Sequence, residues 1–110
     1  MRHEFSKREK RVARQVIETA LQHDFEVCIM DVDRLIQEWK SNKLDNRQAY
    51  QEIYRKVKEN DKYIARMYDD ISGSRYMLTL QALLASKVIS EKDLEGFSAK
   101  TRDEILKMNS

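Results

Sequence analysis

"FSKREKRVARQVIETALQHDFEVCIMDVDRLIQEWK", residues 5–40, contains no glycine or proline, and its apolar residues return at helical spacing. Ser6 offers an N-cap, and Glu9 stands three residues on, at the capping-box position. Ala13, Ile17, Leu21, Phe25, Cys28, Val32, Leu35 and Trp39 make one face. From Leu21 onward the steps are four, three, four, three and four, which is a heptad seam. Val12, Val16, Ala20, Ile29 and Ile36 widen the stripe, so the helix is expected to meet more than one neighbour. Unbroken from Ser6 to Lys40 it would be about 50 Å long at 1.5 Å per residue. The stretch "QHDFE", 22–26, is the place for a kink.

"SNKLDN", 41–46, reads as a turn in which Asp45 or Asn46 caps a second helix from about Arg47 to Ile71. Its apolar stripe is Tyr50, Ile53, Val57, Ile64, Met67 and Ile71, with Asn60 where the next apolar residue should stand. Two long amphipathic helices with a short connection pack as an antiparallel hairpin. "SGS", 72–74, ends the second helix. "RYMLTLQALLASKVI", 75–89, is apolar on most sides and should be largely covered. Ser90 with Asp93 repeats the capping pattern and opens a last helix through Leu94, Phe97, Ile105 and Leu106, with Gly96 as its soft spot. The expected fold is therefore all-α. A long two-helix hairpin (1–72) is followed by a small helical head (73–110), and the whole forms an elongated homodimer. The expected dimer interface is the stripe Tyr50, Ile53, Val57, Asn60 and Ile64, where one polar residue in a seam can fix register at some cost in stability.

Bulk properties agree with this class. The chain has 110 residues, 36% of them charged and 41% hydrophobic, no proline and only two glycines. Strand-rich chains need turn residues at regular intervals, and these are missing. A chain this short buries a modest share of its surface, which favours dimerisation. The single Cys28 lies between Val27 and Ile29, so a disulfide framework is excluded; a small core residue in a reduced, cytoplasmic protein fits. No signal peptide and no apolar run near 18 residues is present, so no membrane contact is expected. The net charge of +2 hides uneven segments. Residues 1–14 hold six Lys or Arg against two Glu, while residues 15–46 hold three against seven acids.

Catalytic equipment is missing. His3 and His23 lie 20 residues apart, and no HExxH, CxxC, Gly-rich phosphate loop or GxSxG occurs. Asp31 and Asp33 cannot share a helix face at spacing two. Asp69 and Asp70 sit near a helix end, where acids face the negative pole of the helix dipole, and read as a solvated end or a hydrogen-bonding corner. No enzyme activity, metal or cofactor is implied. Tyr50, Tyr54, Tyr63, Tyr68 and Tyr76 cluster in the second half, with Trp39 before the turn, residues suited to interfaces and equally to a core rim. A second reading is a small nucleic-acid-binding protein using the basic N-terminus or the head. Against it, the candidate recognition helix opens "SEKDLEG", acidic where base edges and phosphates need donors.

Three blocks in order resemble the fluorescence recovery proteins of cyanobacteria and their relatives in other bacteria. "FSKREKRVARQVIETALQHDF" resembles the family's opening helix, "MYDD" (67–70) matches its Tyr-Asp-Asp, and "LQALLASKVISEKDLEGFSAKTRDEI" (80–105) follows its head. The resemblance implies an all-helical homodimer that regulates by binding and does no catalysis. The cyanobacterial members bind the photoactivated orange carotenoid protein and speed its return to the resting form, ending energy quenching at the phycobilisome. It also implies that the partner is that protein or a related carotenoid-binding domain, met through Tyr54, Arg55, Tyr68, Asp69, Asp70 and Leu78. Here the sequence departs from the family. Tyr50 or Gln51 stands near the family's tryptophan, and Tyr54-Arg55 replace a His-Asp pair, reversing the local charge. A family phenylalanine falls near Met77 or Leu78.

Overall fold

A computed structural model of the protein describes residues 4–69, 71 and 75–107. Among them are four α-helices and no strand: α1 (Lys7–Lys40), α2 (Asn46–Tyr68), α3 (Tyr76–Ala85) and α4 (Ala99–Lys107), with a 3-10 turn at Glu91–Leu94 before α4. The terminator expected at 72–74, together with Asp70 and His3, lies outside the described residues. The first helix runs through 22–26 without interruption, because nothing in that stretch removes a backbone donor or frees φ. Among the described residues no helix is long and apolar enough to cross a membrane.

The chain forms two compact units, Met1–Gln22 with Asp70–Ser110, and His23–Asp69. Residues 1–22, assigned by sequence to the hairpin, therefore group with the C-terminal helices. The reason lies in how the first unit is filled. Ala13, Ile17 and Ala20 of α1 are buried, as are Leu80 and Leu83 of α3, Leu94 in the 3-10 turn and Ile105 of α4. Phe5 stands edge-on to Tyr76, with ring centroids 6.3 Å apart, and tilts against Phe97 at 6.0 Å. Such pairs add to the apolar area they bury. Helix α3 is covered on most sides, as its composition predicts, and it ends in a Schellman motif. Lys87 takes φ 63°, and Val88 N–H donates to the Leu83 carbonyl.

One expectation in this unit is corrected. The last helix does not run from Ser90 through Gly96. Ser90 and Asp93 do form a capping box, but it closes only one 3-10 turn. The chain then turns, and Ser98 starts α4 by accepting the Thr101 N–H on its hydroxyl at 3.2 Å. Gly96 is a close-approach position more than a soft spot: a Cβ there would lie 2.8 Å from Cγ1 of Val12, a stiff β-branched side chain on α1.

Glu9 holds the two ends of this unit together. Its carboxylate accepts from the Ser6 N–H (3.4 Å) and, 89 residues away in sequence, from both the Ser98 N–H and hydroxyl (3.1 Å each). Burial works to raise its pKa, but hydrogen bonds from Thr101, Ser98 and Ser6 outweigh burial and hold it at about 2, against an ordinary 4.5. A carboxylate depressed in the folded state stabilises above its unfolded pKa and loses that contribution as pH falls toward the folded one. Between pH 6 and pH 3 the wild type should therefore lose about 2 kcal/mol that Glu9→Gln does not lose. Urea denaturation of both proteins at the two pH values reads the difference, and parallel losses would refute the role.

The second unit is an antiparallel hairpin. Tyr68 pairs with Asp24, the Lys56 ammonium with Asp31 at 3.4 Å, and the Trp39 indole N–H with Asn46 Oδ1 at 2.7 Å. Partner numbers rise along α1 as they fall along α2. The turn repeats the motif that ends α3, with Asn42 at φ 64° and Lys43 N–H donating to the Glu38 carbonyl. Asp45 then caps α2 in a full capping box with Gln48.

Candidate interaction surface

The hairpin unit has almost no interior of its own. Among its described residues only Asp24, Cys28, Ala49 and Tyr68 are buried, one of them an acid and none a large aliphatic. Meanwhile Ile29 is 67% exposed, Met30 62%, Tyr50 74% and Tyr54 60%, with Phe25, Val27, Trp39 and Val57 also open to solvent. Burying apolar surface is worth about 25 cal/mol per Å², and this unit leaves much of that gain unrealised. Phe25, Cys28, Ile29 and Val32 of α1 and Val57 of α2 line an apolar groove of about 340 Å³. Cys28 forms part of its wall; burial and, after it, the charge of Asp31 push the thiol pKa up, so it is not poised to react.

The residues expected at a dimer seam share one helix face but differ in exposure. Ile53, Asn60 and Ile64 are half-buried. Tyr50 and Val57 are exposed, and Tyr54 joins them at spacings of four and three on one helix face. Tyr54 is thus an exposed neighbour of Tyr50 and Val57 on α2. Arg55 is exposed and already engaged by Glu52 at 2.5 Å and by Glu59 at 3.9 Å, so part of its charge is matched within α2. Asp69 is exposed and ends α2 with an extended backbone, its N–H donating to the Ala65 carbonyl. Leu78, on α3 of the other unit, is 61% exposed.

Tyr68 needs correction as a surface contact. It is 9% exposed, and its hydroxyl donates to Asp24 Oδ2 at 2.5 Å. Burial, then that hydrogen bond, then the carboxylate charge raise its pKa, and Tyr63 is raised by burial first and then by the charge of Asp24. The Tyr-Asp-Asp tyrosine thus serves the hairpin's own packing, as the partner of a buried acid that would otherwise lie unsatisfied. Sequence reading misses Asp24 because its partner lies 44 residues away. It places Phe25, Cys28 and Val32 on a heptad seam, and the structure sets them along an open groove with Ile29. Among the described residues no cluster of His, Cys, Asp and Glu could hold a metal ion.

Compared with known protein families, curated proteins and solved structures, the chain gives no match.

Proposed function

We propose that this chain is a non-catalytic regulatory protein of the fluorescence recovery type, dimeric through its hairpin and acting by binding a protein partner. The observation that carries the reading is the hairpin unit's open apolar face, with Ile29, Tyr50, Tyr54 and Val57 in solvent and four buried residues in all among those described. Small helical units that cannot cover themselves usually oligomerise, and a two-fold copy offers a self-complementary surface. The three-block resemblance adds the role: the dimer prefers one conformer of its partner and shifts that partner's population by its differential affinity. Asp69, Asp70 and Leu78 remain the proposed contacts for a photoactivated orange carotenoid protein or a related carotenoid-binding domain. Tyr54 belongs with the dimer face in this arrangement.

The test mixes the chain with photoactivated orange carotenoid protein and follows recovery of the resting absorbance in the dark. Faster recovery, with co-elution at micromolar concentration, is the expected result. An unchanged rate with no co-elution rejects that partner.

A further inference from the structure

Lys7, Arg8, Lys10, Arg11 and Arg14 of α1 are all exposed. They span about 10 Å along the helix at 1.5 Å per residue. The only carboxylate between Glu4 and Glu18 is Glu9, and Glu9 is turned inward, buried and bonded to Ser6 and Ser98. No ion pair to any of the five cations is found among the described residues, although four ion pairs occur elsewhere on α1 and α2. Three of the five, Lys7, Arg8 and Lys10, also stand in the opening turns of a helix, where the backbone dipole disfavours positive charge. The fold thus spends its one local acid inside and leaves an uncompensated cationic patch outside.

We propose that this patch, the outer side of the first turns of α1 opposite the inward Glu9, docks a short acidic segment of a protein partner. The inference rests on reading the chain as a protein-binding regulator and names the chemistry of one contact. Three arginines at spacing three suit carboxylates, which a guanidinium engages with two parallel hydrogen bonds. The patch is short and bounded: Glu4 and Glu18, both exposed, close it at either end. A few Asp or Glu residues match that length, whereas a long polyanion such as a nucleic acid would run onto these acids.

Fluorescence anisotropy of a short peptide of Asp and Glu spaced by Gly, titrated with the full chain, tests this. Binding should weaken as salt rises past roughly 0.1 M, where the screening length falls to about 10 Å. The variant Arg8→Gln/Arg11→Gln/Arg14→Gln should lose on the order of tenfold in affinity. Lys87→Gln/Lys92→Gln/Lys100→Gln, which removes the same charge from exposed positions of the same unit, should keep it. Lys7→Gln/Lys10→Gln supplies an independent second variant, and circular dichroism checks that each is folded. Equal losses in the two triple variants overturn the proposal. So does tighter binding of a random-sequence DNA duplex that the arginine variant abolishes, since the occupant is then a phosphate backbone. The dimer is read separately by light scattering: a monomeric wild type that still binds the peptide refutes the dimer and leaves this patch standing.

Discussion

Replacing Leu83 with alanine is expected to destabilise the protein by about 3 kcal/mol, within the range for deleting a buried leucine side chain. Leu83 is 0% exposed and lies on α3, a helix of ten residues of which Tyr76, Thr79, Leu80, Gln81 and Leu83 are buried. A helix that short is marginal in water and persists because its neighbours cover it. Truncating Leu83 removes a methine and two methyl groups from water-free contact and leaves a void that the surrounding structure fills only in part. The paired control is Leu78→Ala. It makes the same chemical change in the same helix, with the same gain in helix propensity, at a position 61% exposed. Its cost should stay under about 0.5 kcal/mol. Chemical denaturation followed by circular dichroism, with thermal melts showing a Tm roughly 10–20 °C lower for Leu83→Ala only, measures both. Similar losses from the two substitutions would mean that α3 is held by propensity and not by its core. Leu78→Ala has a second use: if the wild type speeds recovery as proposed, a stable variant that does not would place Leu78 in that contact.

Helical class and element order are legible in the sequence because they depend on local signals. No residue between Ser6 and Lys40 can break a helix, and Asp45 with Gln48 announces the start of α2 within four residues. The features that escape sequence reading depend on distance. The capping pattern at Ser90 and Asp93 is real, yet it does not carry its own length; whether a capped turn grows into a helix is decided by the residues after it. Here Gly96 passes against Val12, and Ser98 offers a competing cap whose own N–H is claimed by Glu9. Glu9 itself reads as a local capping acid, and only the fold reveals its second set of partners. Tyr68 shows the same limit in the candidate site. A tyrosine near a helix end suits an interface or a core rim equally, and Asp24 decides between them. The α2 stripe is legible as a face through its period of three and four, but not which of its residues are covered: Tyr50 and Val57 share it with Ile53 and Ile64 while differing in exposure.

Ile29→Glu is expected to abolish the proposed dimer while leaving the folded chain almost untouched. In the single chain Ile29 is 67% exposed on the wall of the hairpin groove, so a glutamate there stays in water and should change monomer stability by less than about 0.5 kcal/mol. In the proposed dimer the same position is covered by the second copy, and two-fold symmetry puts the charge into the interface twice. Taking an unpaired carboxylate out of water costs several kcal/mol, which corresponds to a loss of roughly a hundredfold or more in association. Light scattering should therefore give the wild type at twice 13.1 kDa and Ile29→Glu at 13.1 kDa, with the same helical content by circular dichroism. Val57→Glu, across the groove on α2 and 44% exposed, should behave alike, because both residues line one groove. Lys43→Gln in the interhelical turn, which lowers the net charge by one as these substitutions do, should leave the dimer intact and so controls for net charge. A wild type at 13.1 kDa at high concentration would refute the dimer. A wild-type dimer that survives both groove substitutions would put its seam elsewhere and leave the groove for the partner.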